Sequence, residues 1–250
     1  MDIWSKCRDR ISPEIISNNL IRVVESQEQI ATNNLVDDLQ EQNLLEQLLD
    51  KTKPATSSGA GGLHYLLQTP FRYPPLRHGS RFGSRLESSL FYGSHTITSA
   101  LAETGYYRCL FWSGMKVPPP SQKFVTQHTI FAMTYASRND LKLQHMPFGD
   151  YVEHLSDPAN YSATQQLGSA MRAFGIEAFE FISARDPHRG INVALFLPAA
   201  LATAQPLYQQ HWLCETEADI VRFYSSTDGS IHQYALDTYL VKGILPEPAV

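Results

Sequence analysis

Between Arg81 and Glu103 the chain reads R-F-G-S-R-L-E-S-S-L-F-Y-G-S-H-T-I-T-S-A-L-A-E, which sets a guanidinium, a phenol and a carboxylate close together. Arg81 offers a planar, permanently charged fork to a pair of anionic oxygens. The plainer alternative is an ion pair with Glu87 or another acid. Glu103 could accept from a hydroxyl, stabilise a developing cation or orient a nucleophile. Its plainer alternative is a solvated helix face. Tyr92 offers an aromatic face to a flat cationic ring, or else packs in a core beside Phe91. Ser183, far downstream, could donate to an anion or an amide. No G-x-S-x-G surrounds it, so it does not read as a hydrolase nucleophile. Arg72 is a second candidate for an anion contact. Arg185 either joins it or pairs with Asp186. Arg77 and Arg85 read as solvated.

These groups need elements to bring them together. Arg81 follows a turn at His78, Gly79 and Ser80. Residues 89–92 form a short apolar and aromatic run bounded by turn residues, which is a strand signal. Gly93, Ser94 and Thr96 open a helix carrying Ala100, Leu101 and Ala102. Glu103 then lies on that helix, where about 3.6 residues make a turn, and its apolar neighbours turn part of the helix toward a core. Residues 176–182 read as a strand that delivers Ser183-Ala184-Arg185-Asp186-Pro187 to its end. Asn192 begins the next strand. A loop, a strand end and a helix are thus expected to converge on one cleft.

At these residues the sequence resembles the RES domain family, named for its Arg, Glu and Ser. The resemblance runs over roughly residues 65–240. It is carried by F-R-Y-P-P-L-R-H-G-S-R-F, L-F-Y-G-S with A-L-A-E, and I-S-A-R-D-P with N-V-A-L-F. By context Arg81, Glu103 and Ser183 stand for the family's Arg, Glu and Ser, and Tyr92 matches its aromatic before the helix. The resemblance implies a bacterial toxin of a toxin–antitoxin pair that cleaves NAD at the nicotinamide–ribose bond, with phosphate or water as acceptor, and arrests growth by depleting NAD. NAD is then a substrate, inorganic phosphate a possible co-substrate, and no cofactor is expected. An Xre-like antitoxin is the implied partner, in a homodimer or a toxin–antitoxin hetero-oligomer. Loss of nicotinamide leaves positive charge on the ribose, as in glycoside cleavage. Under this reading Arg81, Arg72 and Arg185 serve the phosphates or ribose. Tyr92 stacks on nicotinamide, Glu103 serves the ribose hydroxyls and the cation, and Ser183 donates to phosphate or amide. Two other classes stay open: an ADP-ribosyltransferase that modifies a protein, and a non-enzymatic binding or regulatory module.

The rest of the chain bounds the answer. It has 250 residues, 43% hydrophobic and 18% charged, with a net charge of −5, which describes an ordinary globular protein. That balance argues against a general nucleic-acid surface. Cys7, Cys109 and Cys214 are too scattered for a disulfide framework or a zinc site. The nine histidines show no paired ligand spacing. No G-x-G-x-x-G follows a strand, and no apolar run approaches the ~20 residues of a membrane span. A reducing, cytoplasmic setting is expected.

Three regions follow from the pattern. Residues 1–52 read as an N-terminal helical hairpin. Its first helix starts at Ser12-Pro13-Glu14 and spaces Ile16, Leu20, Val23 and Val24. Its second carries Leu35, Leu39, Leu45, Leu48 and Leu49. The hairpin either packs on the main domain or forms a dimerisation or antitoxin-docking surface. Residues 53–62 read as a linker, and residues 63–250 as the catalytic domain. Strands are expected at 124–135, 141–145, 210–214, 220–224 and 231–236, with a hairpin turn at Asp228-Gly229. Residues 157–174 read as helical, stopped by Gly175, and residues 106–112 fit helix or strand equally. The fold class is α+β. With the resemblance it becomes ADP-ribosyltransferase-like, two packed and mostly antiparallel sheets with inserted helices and a cleft for NAD.

Overall fold

The structure, a computed structural model, describes residues 1–26, 36–55 and 59–247. In chain order its elements are α1 (Ile3–Cys7), β1 (Glu14–Glu25), α2 (Leu39–Thr52), α3 (Tyr65–Arg72), β2 (Phe91–Ser94), α4 (Ile97–Ser113) and β3 (Phe124–Lys142). Then come α5 (Val152–Leu155), α6 (Ser162–Phe174), β4 (Ala178–Ile182), β5 (Ile191–Leu195), β6 (Tyr208–Thr216), β7 (Ile220–Ser225) and β8 (Ile231–Ala235). The class is α+β.

The strands join in one sheet of order β1-β2-β5-β4-β3-β6-β7-β8, with β1 also paired to β3. This replaces the two separate sheets that were expected, and the reason is the length of β3. Its 19 residues read in the sequence as two shorter strands. As one strand they pair with β1 from Asp140 to His128, with β6 from Phe124 to Ala132, and in parallel with β4 from Asp140 to Lys142. The β1–β2 pairing at Ile21 and Ser94 closes β1, β2, β5, β4 and β3 into a ring. All pairings but β3–β4 are antiparallel.

The first helix of the expected N-terminal hairpin is instead strand β1. Ile16, Leu20 and Val24 are four apart, a spacing that fits one face of a helix and also, being even, one face of a strand. Five of the twelve β1 residues are β-branched, a composition that favours the pleated form, and the long ladder to β3 settles it. Ile16 and Leu20 are buried with Phe91, Phe131, Met133, Val193 and Leu195 inside the ring. The second expected helix is α2, although Leu35 lies outside the described residues, as do residues 56–58 of the expected linker. Residues 106–112 are helical, the second half of α4.

Two helices cover neighbouring parts of the sheet. Leu101, Tyr106 and Cys109 of α4 pack on Ile130, Trp212, Cys214, Val221 and Phe223. Leu167 and Met171 of α6, with Ile3 and Trp4 of α1, pack on Phe179, Phe181, Ala194 and Phe196. The turn joining β4 to β5 touches both. Ser99 on α4 donates to Asp186 at 2.6 Å, and Arg185 donates to the Tyr161 hydroxyl, next to α6, at 3.0 Å.

Candidate active site

The loop that carries Arg81 is held from two sides. Gly79 turns it in the left-handed region at φ 70. A Cβ there would lie 2.2 Å from the Gly83 carbonyl oxygen, so only glycine fits. Gln165 of α6 donates to the carbonyls of His78 and Ser80, each at 2.9 Å. From the other side the Tyr92 hydroxyl accepts from the Phe82 backbone N–H at 3.1 Å and pairs with Ser80 Oγ at 2.9 Å. Burial pushes the Tyr92 hydroxyl up to about 12, against the opposing pull of its hydrogen bonds. It is a neutral phenol at working pH. Its ring meets Phe181 edge-on with centroids 6.3 Å apart. In this structure Tyr92 is thus an anchor for the Arg81 loop.

Two guanidiniums share one tyrosine. Arg81, 9% exposed, donates to the Asp157 carbonyl at 2.7 Å and lies over the Tyr161 ring at 4.4 Å from its centroid. Arg185, 3% exposed, donates to the Pro158 carbonyl at 2.7 Å and stacks on Tyr106 at 3.5 Å. The expected Arg185–Asp186 pair does not form. Asp186 is taken by Ser99 Oγ and by the backbone N–H groups of His188 and Gly190. Among the described residues no carboxylate pairs with Arg81 or Arg185, and Nη1 of Arg185 is buried with no hydrogen-bond partner. Buried arginines are ordinarily paired, and a buried unmet donor costs about 1–3 kcal/mol.

Glu103 sits on α4, whose N-terminus is capped by Thr96 Oγ1 accepting from the Ser99 N–H at 3.1 Å. The carboxylate is half-buried. Its Oε1 accepts from Ser183 Oγ and from Asn192 Nδ2, both at 2.6 Å. Ser183 Oγ itself accepts from the backbone N–H groups of Arg185 and Asp186 at 3.1 and 2.9 Å. Its one proton therefore goes to Glu103, and it reads as a positioning group. Tyr106, one turn on, is pushed up to about 12 chiefly by burial, with Arg185 pulling the other way.

Five of the six residues singled out in the sequence thus belong to one contact network: Arg81, Tyr92, Glu103, Ser183 and Arg185. Arg72 does not join it. It ends α3, and its Nε donates to the Pro54 carbonyl. The reading missed Asn192, Ser94 and Tyr161. Asn192 is the one polar residue of β5, which was a usable signal. Tyr161 stands in a polar stretch whose sequence carries no signal for it. A broad depression of about 600 Å³ borders the Arg81 loop, lined by residues such as Ser84, Asn160, Gln165 and Ser169, but it holds no ionisable group. Among the described residues no three His, Cys, Asp or Glu side chains stand together as metal ligands, and no helix is long and apolar enough to cross a membrane.

The chain belongs to the RES domain family, whose model, described as RES domain, matches residues 58–217. The network from Arg81 to Asn192 lies wholly inside that span. No curated protein matches the chain. Among solved structures it is similar to one described as the crystal structure of the M. tuberculosis MbcT–MbcA toxin–antitoxin complex. That match has 11% identity and a TM-score of 0.46, and covers 79% of this chain and 85% of that one.

Proposed function

We propose that this RES-domain protein is the toxin of a toxin–antitoxin pair and that it cleaves NAD at the nicotinamide–ribose bond. The observation that carries the reading is the pairing of opposite charges in one network. A carboxylate is held on one oxygen by two donors, beside two guanidiniums that, among the described residues, no carboxylate neutralises. Nicotinamide leaves with the electrons of its bond to the ribose, and positive charge develops on the sugar. Glu103 stabilises that charge and accepts from a ribose hydroxyl. Arg81 and the unmet Nη1 of Arg185 suit the pyrophosphate, whose oxygens supply the acceptor that Nη1 lacks. Preorganised charges of this kind supply several kcal/mol without reorganisation. An oxygen of phosphate or water then bonds to the ribose carbon, giving an ADP-ribosyl product, and NAD is consumed as a substrate.

The same reading takes the fold as ADP-ribosyltransferase-like. The support is a long strand, β3, shared between the β2-β5-β4 and β6-β7-β8 groups. It assigns the chemistry to residues 63–250, with β1 from the N-terminal segment completing the sheet. It places the protein in the cytoplasm, restrained by an Xre-like antitoxin in a homodimer or a toxin–antitoxin hetero-oligomer.

The test is nicotinamide release from NAD by the purified chain, with and without inorganic phosphate, beside Glu103→Gln. Release that the variant loses supports the reading, and its phosphate dependence names the acceptor. Label from NAD retained on protein would move the reading to protein modification. No release in either buffer would sink it.

A further inference from the structure

Ser94 and Asn192 lie directly opposite each other in the β2–β5 ladder and are 3% and 4% exposed. Ser94 Oγ donates to Asn192 Oδ1 at 2.6 Å, and Asn192 Nδ2 donates to Glu103 Oε1 at 2.6 Å. The orientation of this amide follows from its partners. Turned over, it would set its carbonyl oxygen against the carboxylate oxygen, two acceptors face to face. Ser183 adds its donation to the same oxygen. Oε1 is therefore saturated, while no described group donates to Oε2.

We propose that Ser94 and Asn192 are positioning residues that divide the labour of the Glu103 carboxylate, fixing Oε1 so that Oε2 alone is presented to the reacting sugar. The proposal rests on the NAD-cleaving reading for what Oε2 meets, and on geometry alone for the relay itself. The relay has three parts. The Ser94 hydroxyl fixes the Asn192 amide, the amide donates to Glu103, and Ser183 donates to the same oxygen. Losing the relay should therefore leave the carboxylate freer to rotate.

The experiment follows the Asn192 side-chain amide in the full chain by nitrogen-15 NMR, its signal being assigned by its loss in Asn192→Asp. Ser94→Ala, which removes the donor to the amide oxygen, should move that signal and speed its exchange with water, and Ser94→Thr, which keeps the hydroxyl, should return both toward the wild-type values. In nicotinamide release the turnover number of Ser94→Ala should fall about ten- to a hundredfold, as misplaced catalytic groups commonly cost, with KM for NAD within about twofold because the pyrophosphate contacts are untouched, and Ser94→Thr should recover most of the loss. Should Asn192→Asp not fold, Ser94→Ala against Ser94→Thr carries the same comparison. An Asn192 amide signal unmoved in folded Ser94→Ala overturns the relay, whatever the activity. A shift as expected in a chain that never releases nicotinamide upholds the relay and overturns the NAD reading alone.

Discussion

Tyr92→Phe separates two roles for one residue. If the ring of Tyr92 stacks on nicotinamide, phenylalanine keeps the face and should keep the activity. The structure assigns the work to the hydroxyl, which accepts from the Phe82 N–H and pairs with Ser80 Oγ. The variant leaves the Phe82 donor unmet in a buried place, which costs about 1–3 kcal/mol. In a chain of this size each kcal/mol lowers Tm by about 2–4 °C, so a fall of several degrees is expected. The catalytic effect should exceed what stability alone predicts, because Arg81 lies between the two anchored residues. A misplacement of about 1 Å can cost a hundredfold. The assay is thermal unfolding beside nicotinamide release on the folded variant, with NAD affinity measured separately. The loss should appear mainly in NAD binding, the step proposed for the Arg81 guanidinium. A variant equal to wild type in both stability and activity would refute the anchoring argument and return Tyr92 to a stacking role.

Three further outcomes follow from the same geometry. Gly168→Ala would put a Cβ 1.8 Å from the Phe82 carbonyl oxygen. Forcing α6 off the Arg81 loop should cost about 1–3 kcal/mol, read by thermal unfolding, and a neutral result would mean that this contact is not tight. Arg72→Ala should leave nicotinamide release within about twofold of wild type, while Arg185→Ala, which removes a group suited to bind transferred charge, should lose about a hundredfold or more, as electrostatic donors commonly do. A tenfold loss in Arg72→Ala would restore Arg72 to the site. Asp140 is fully buried, with no described group donating to either carboxylate oxygen, and burial pushes its carboxyl up to about 6. A raised folded value means that its contribution to stability is present below about pH 4, the ordinary range, and is lost as pH rises through 6. Asp140→Asn should therefore gain on wild type between pH 4 and pH 7, by about 3 kcal/mol at 1.36 kcal/mol per unit. A difference between the two that does not vary with pH would refute the burial argument.

The fold was legible where a pattern had one physical meaning. Gly175 stops α6 in the left-handed conformation at φ 87, as expected of a glycine after a helix. Thr96 caps α4. Asp228-Gly229 turns β7 into β8, with Gly229 at φ 73. It was illegible where two periods coincide. A spacing of four residues served helix and strand alike at β1, and Ser12-Pro13-Glu14 matched a helix start without starting a helix. The ladder to β3 decides that segment, and no local window contains it. The closing of the ring and the length of β3 are facts of the same long-range kind.

The candidate site shows why residue type can be read before role. Arg81, Glu103 and Ser183 were singled out from their neighbours in sequence, but the sequence left Ser183 free to donate to a substrate. Its two backbone donors, Arg185 and Asp186 N–H, occupy its oxygen and send its proton to Glu103. That follows from the tight turn between β4 and β5, where Ser183 N–H also donates to the Gly190 carbonyl. Arg185 likewise lost its sequence neighbour Asp186 to Ser99 and gained Tyr106 and Tyr161 from other elements. The adjacent acid would have neutralised it. Three-dimensional competition for Asp186 is therefore what leaves a buried guanidinium without a carboxylate beside Glu103. Removing the Ser99 hydroxyl should loosen that hold, let Asp186 compete for Arg185, and weaken NAD binding more than turnover. If Ser99→Ala binds NAD as wild type does, the charge at Arg185 does not depend on the competition.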